Sequence, residues 1–168
     1  NKDLTIAGIL NGTTNYILSR MESEGADYAD VLADAQAKGY AEADPSADVD
    51  GFDAASKTAI LASIGFGTRV TTDDVYQQGI RTIAAEDIAV AHDLGYTIKL
   101  LGIARNTPKG VDVRVHPTMI PLDHQLAKVS GAMNAVYVVG DAVGETMFYG
   151  AGAGSFPTAS AVVGDIMT

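Results

Sequence analysis

Four carboxylates, Glu42, Asp44, Asp48 and Asp50, fall within nine residues, and Asp53 and Lys57 follow at a spacing of four. In a helix that spacing sets Asp53 and Lys57 on one face, with the acid nearer the N-terminus, where the helix dipole favours it. Such residues support two kinds of chemistry. One is a solvated ion pair beside an acidic surface loop, worth about 0.3–0.5 kcal/mol. The other is recognition of a small cationic group, each charge-assisted hydrogen bond contributing about 1.5–3 kcal/mol. Lys57 beside Asp53 would then give or take a proton at a reacting oxygen. Spacing alone does not choose between them. A calcium loop does not fit, because Asp44, Asp48 and Asp50 miss the EF-hand spacing and the glycine that loop needs.

The elements that position these side chains are read from apolar periodicity and turn residues. Leu4–Leu10 reads as a buried strand, and Asn11, Gly12, Thr13 and Thr14 as a tight turn. A helix follows near Thr14–Ser23, with a threonine suited to its cap. Ala29–Lys38 carries Val31, Leu32 and Ala35 at helical spacing and stops at Gly39. Gly39–Val49 has no period and reads as a loop, and Gly51–Phe66 resumes helical spacing through Phe52, Ala55, Ala59, Ile60 and Ile64. Thr71–Gly79 reads as a polar turn and Ala84–Leu94 as a short amphipathic helix. Strands follow at Tyr96–Arg105, Val111–Ile120 and Ala135–Val139, with Thr146–Tyr149 extending a fourth. A Gly-rich loop, Gly150–Gly154, precedes a final helix from Pro157. Helices first and strands later predict an α+β domain, its mostly antiparallel mixed sheet covered on one face by helices.

The remaining motifs carry less. Read alone, the Gly150–Gly154 turn allows either phosphate binding at a helix N-terminus or a tight turn for close helix packing. It matches neither the dinucleotide fingerprint nor the P-loop. His92, His116 and His124 lack ligand spacing and read as structural or exposed, so no metal is assigned. Asp73 and Asp74 suit a turn or a helix cap, and no serine sits in a nucleophile elbow.

A chain of 168 residues is one domain, able to bury about 70% of the surface its unfolded form exposes. With 47% hydrophobic and 19% charged residues it is globular. A net charge of −10 argues against nucleic acid and anionic membrane as partners. The absence of cysteine excludes disulfides, thiolate metal sites and a cysteine nucleophile. No apolar run approaches the roughly 20 residues of a membrane helix, and no leader pattern opens the chain, so a cytoplasmic protein is expected. The chain opens on a strand-like run and closes inside a helix, which reads as a piece excised from a longer protein.

Three long words extend the reading: GILNGTTNYIL (Gly8–Leu18), AQAKGYAEADPSADVDGFDAASK (Ala35–Lys57) and GAGAGSFPTASAVVGDI (Gly150–Ile166). In this order they resemble the homoserine dehydrogenases over nearly the whole chain, and the monofunctional bacterial form more than the form fused to aspartate kinase. The resemblance implies interconversion of L-homoserine and L-aspartate 4-semialdehyde with NAD or NADP, on the route to threonine, methionine and isoleucine. Carried over residue by residue, it sets the catalytic pair on Asp53 and Lys57, and the substrate carboxylates on Glu42 and Asp48. The substrate-contacting turn falls on Gly12 and Thr13, with Tyr40 contacting substrate through its backbone, and the cofactor contacts on Gly150, Gly152 and Ala153. Lys57, directly or through a water, would protonate the aldehyde oxygen, with Asp53 orienting it.

The resemblance also implies that residues 1–168 are a catalytic, substrate-binding and dimerisation domain. By the same resemblance, the N-terminal nucleotide-binding domain that holds most of the cofactor, any regulatory domain and most of the family's monovalent-cation site are expected outside these residues. A homodimer through the sheet is expected, and no turnover from this chain alone. The alternative is a non-catalytic acidic module that binds a small ligand or a protein.

Overall fold

The computed structural model describes residues 4–168. Its elements run β1 (Thr5–Ile9), α1 (Gly12–Glu24), α2 (Tyr28–Ala37), α3 (Ser46–Val49), α4 (Phe52–Phe66), β2 (Tyr76–Gln77), α5 (Ala85–Asp93), β3 (Tyr96–Thr107), β4 (Gly110–Pro121), β5 (Met133–Gly140), β6 (Gly144–Ala151) and α6 (Ser155–Met167). Short 3-10 turns occupy Thr72–Asp74 and Gln125–Lys128. The six strands form one sheet in the order β2-β4-β3-β1-β5-β6. Every pairing is antiparallel except that of β2 with β4. The expected α+β class is therefore the observed one.

The first strand in the chain lies inside the sheet. Ala7 of β1 pairs with Ile103 of β3 on one side and with Tyr137 of β5 on the other. One face of the sheet carries the main core, where Ile6, Leu100, Ala104 and Val115 meet the helices. On α1, Thr14, Ile17, Leu18 and Met21 recur at three- and four-residue spacing and are all buried. Each large apolar side chain buried there contributes about 1.5–3 kcal/mol. The inner side of α4 is built of small residues, Ala54, Ala55, Thr58, Ala59 and Ala62. They let the helix lie close to β3, so close that a Cβ at Gly102 would sit 2.1 Å from Thr58 Oγ1. The opposite face carries a smaller cluster, Ile9, Leu101, Leu126, Val129 and Tyr137 among them.

Three local expectations are corrected. The loop at Gly39–Val49 contains the short helix α3, because Asp44 accepts hydrogen bonds from Ser46 N at 3.1 Å and Ser46 Oγ at 2.6 Å and so turns the chain into it. The polar turn at Thr71–Gly79 contains a 3-10 turn and the two-residue strand β2, which joins β4 by backbone pairing that leaves no periodic trace in the sequence. The cap of α1 is Asn11 and not a threonine: its side chain accepts from Thr14 N at 2.9 Å. Asp74 does serve a cap, accepting from Thr71 N at 2.8 Å.

Candidate active site

Where β1 ends, the chain leaves the sheet through Leu10 and Asn11 and enters α1. A Cβ at Gly12 would lie 2.7 Å from Ala132 O, so only glycine lets the start of α1 approach the segment before β5 this closely. Thr13 Oγ1 donates to Tyr40 O at 2.9 Å, and the Tyr40 ring lies 4.7 Å from that of Tyr16. The turn after α2 is thereby fastened against the first turn of α1.

The acidic loop divides by function. Asp44 turns the chain into α3, and Asp50 is ion-paired with Arg81, whose guanidinium holds its carboxyl below the usual range. Asp48 instead takes a hydrogen bond from Asn11 Nδ2 at 2.6 Å. Gly51, at φ 87°, starts α4 from a left-handed turn. In the first turn of α4, Asp53 Oδ2 receives Lys57 Nζ at 2.7 Å, and Lys57, one turn on, also donates to Leu10 O at 3.1 Å. Their shared helical face is confirmed. Both side chains remain partly exposed, 33% and 47%.

These groups surround a half-open cavity of about 480 Å³, within the range of small-molecule sites. Asn11, Gly12 and Thr13, Gly39 and Tyr40, and Asp48, Asp53 and Lys57 line it. Ala132 and Asn134, with Gly152, Ala153 and Gly154, complete the lining. Of the residues expected here, Glu42 is exposed and outside the lining, and Gly150 lies in β6 paired with Asn134. The sequence reading missed Asn11, Ala132 and Asn134. An asparagine before a helix start was the available signal for Asn11. The other two arrive through the pairing of β1 with β5, which no local pattern announces. Two of the histidines are structural, His124 Nδ1 accepting from Leu126 N at 3.1 Å and His116 Nδ1 meeting Thr118 Oγ1 at 3.1 Å, and His92 is exposed.

The arrangement can do specific chemistry. The first N–H groups of α1 offer an anion site, Asp48 offers a place for a cation, and the Asp53–Lys57 pair can exchange a proton between them. Fold and cavity together define an α+β domain whose cavity brings a helix start, a carboxylate and a Lys–Asp pair to one place.

A family model described as homoserine dehydrogenase matches residues 1–167, and the chain belongs to that family. The homoserine dehydrogenase of Mycobacterium tuberculosis (strain H37Rv) is 61% identical over 98% of this chain and 38% of its own. That of Synechocystis is 60% identical over 99% of this chain and 40% of its own. The crystal structure of a homoserine dehydrogenase from Thiobacillus denitrificans superposes with a TM-score of 0.97 at 55% identity, over 99% of this chain and 38% of that one. A hyperthermophilic archaeal homoserine dehydrogenase mutant in complex with NADPH gives 0.80 at 29% identity, over 99% and 47%. The chain thus spans about two fifths of the length of the curated relatives it matches.

Proposed function

We propose that this chain is the substrate-binding and proton-transferring domain of an enzyme that interconverts L-homoserine and L-aspartate 4-semialdehyde, in the synthesis of threonine, methionine and isoleucine. The observation that carries the reading is the 2.7 Å Lys57–Asp53 pair, facing the same cavity as Asp48 and the start of α1. The α-carboxylate of homoserine fits the N–H groups at Gly12–Thr13. Its α-ammonium fits Asp48, with the Tyr40 backbone as a neutral contact, and Glu42, which lies outside the lining here, is the second carboxylate we assign to it. Lys57, directly or through a water, exchanges the proton of the substrate's reacting oxygen, while Asp53 and Leu10 O hold its ammonium in place.

The wall at Gly152–Ala153 suits a cofactor edge: a Cβ at Gly152 would lie 2.7 Å from Asn134 Nδ2, so the backbone itself forms the surface there. Gly150, Gly152 and Ala153 are the residues we assign to it. NAD or NADP, when bound, supplies the hydride exchange. Its main site lies outside this chain, a reading supported by the greater length of the relatives and by α6. That helix buries none of its residues and exposes Phe156, Val162, Val163 and Ile166. The reading implies a cytoplasmic enzyme and a homodimer.

Lys57→Ala in the full-length enzyme tests the assignment. We expect kcat to fall by about 10²–10⁴, as for loss of a positioned acid. Undiminished turnover would favour the second reading, a non-catalytic acidic binding module.

A further inference from the structure

Asn11 is 5% exposed and makes more contacts than its place in a turn requires. Its Oδ1 accepts from Thr14 N at 2.9 Å and from Thr14 Oγ1 at 3.0 Å. Its Nδ2 donates to Asp48 Oδ1 at 2.6 Å and to Asp53 Oδ2 at 2.9 Å. The orientation of the amide is forced, because a backbone N–H can only donate and a carboxylate can only accept. One side chain therefore joins the end of β1 to α3 and α4 at once. Asp53 Oδ2 is the same oxygen that receives Lys57 Nζ.

Capping α1 explains only half of this. A cap needs an acceptor, and aspartate or serine serves there about as well as asparagine. The second half needs two N–H donors on a neutral, short side chain. Two carboxylates brought to one cavity repel each other. A lysine or arginine between them would hold them together but would consume the negative charge that a substrate ammonium needs. An amide holds both without neutralising either. Asp48 Oδ2 and Asp53 Oδ1 have no hydrogen bond among the described residues, so they remain available to a ligand.

We propose that Asn11 is a positioning residue: it sets the spacing between the carboxylate that receives the substrate ammonium and the Asp53–Lys57 pair that moves the proton. This rests on the dehydrogenase reading above. It acts through Asp48 and Asp53 and needs no contact with substrate.

The test compares Asn11→Asp and Asn11→Ser in the full-length enzyme, with Lys57→Ala as a control. Both substitutions keep an acceptor for the cap of α1 and remove the N–H donors, so a role confined to capping is rescued by them. We expect Asn11→Ser to melt near the parent and Asn11→Asp, which sets a third carboxylate against Asp48 and Asp53, to melt earlier, with kcat/KM for homoserine lower in both by about 10–10²-fold, the scale of a misplaced reacting group. KM and kcat should both move, since both carboxylates shift. Parent-like kinetics in the two variants overturn the proposal. If Asn11→Ser also melts early, a double-mutant cycle of Asn11→Ser with Asp48→Asn decides: losses smaller than additive support the role, and additive losses overturn it. Lys57→Ala separates the two claims. If it retains turnover, the dehydrogenase reading fails and this inference with it. If it abolishes turnover while the Asn11 variants stay active, only the Asn11 assignment falls.

Discussion

Lys99 lies 1% exposed in β3 and donates to Val129 O at 2.8 Å, with no ion pair among the described residues. Burial pushes its ammonium below the ordinary lysine value of 10.5, and Glu22 offsets part of that from a distance. Asn15 Nδ2 reaches the same carbonyl at 3.1 Å, and Gly131 O at 2.9 Å, so the segment before β5 keeps a donor if Lys99 is changed. The sign of the linkage follows. Below the lowered folded value both states bind the proton, and the folded state bears the cost of a buried charge. Above it only the unfolded chain stays protonated, so stability rises with pH up to 10.5. The gain is at most about 1.4 kcal/mol per pH unit. Lys99→Met should be no less stable than the parent at pH 7 and should lack the alkaline gain. Urea melts at pH 7 and pH 9.5 measure both. Asp53 and Lys57 were legible in the sequence because one helical turn relates them. Lys99 was not, since nothing in a strand pattern separates a buried lysine from a solvated one.

The clamp on the corner between α3 and α4 belongs to the scale of elements. Just after β2, Gly79 runs against that corner, where a Cβ would lie 2.1 Å from Val49 O and 2.5 Å from Asp50 Cα. Ile80 N donates to Val49 O at 2.8 Å, and Gln77 Nε2 to Asp50 O at 2.8 Å. This short stretch fixes the backbone between Asp48 and Asp53. Gly79→Ala meets backbone atoms that cannot swing aside, so it should cost about 1–3 kcal/mol in a denaturant melt. Of the helices that carry the site, α1 and α4 were readable from their period, whereas the single turn of α3 and the Asn11 cap were not. This clamp was not: two residues of strand fall below any periodic signal, and its partners lie roughly 30 residues back in the chain.

At the scale of the molecule, the sheet has one face closed by helices and one without them. On the second face, Ala7, Ile103, Met133 and Val139 are only partly buried around the smaller cluster. A homodimer closing that face would bury them. Ile103→Glu should then shift the parent enzyme from dimer toward monomer in analytical ultracentrifugation, and an unchanged dimer would place the interface elsewhere. The sequence announced the α+β class because helices precede strands. Strand order was hidden, because antiparallel pairing over long distances is written in no local pattern. That order has a consequence for the growing chain. β1 is made before the other strands of its sheet yet pairs through Ile6 with Ala104 and Val138, roughly a hundred residues and more downstream. As the ribosome releases it, the strand has neither neighbour to receive it, and closing such distant contacts is slow. The cavity at its end therefore takes shape only once β5 has emerged, and until then the nascent chain carries an apolar segment in need of protection.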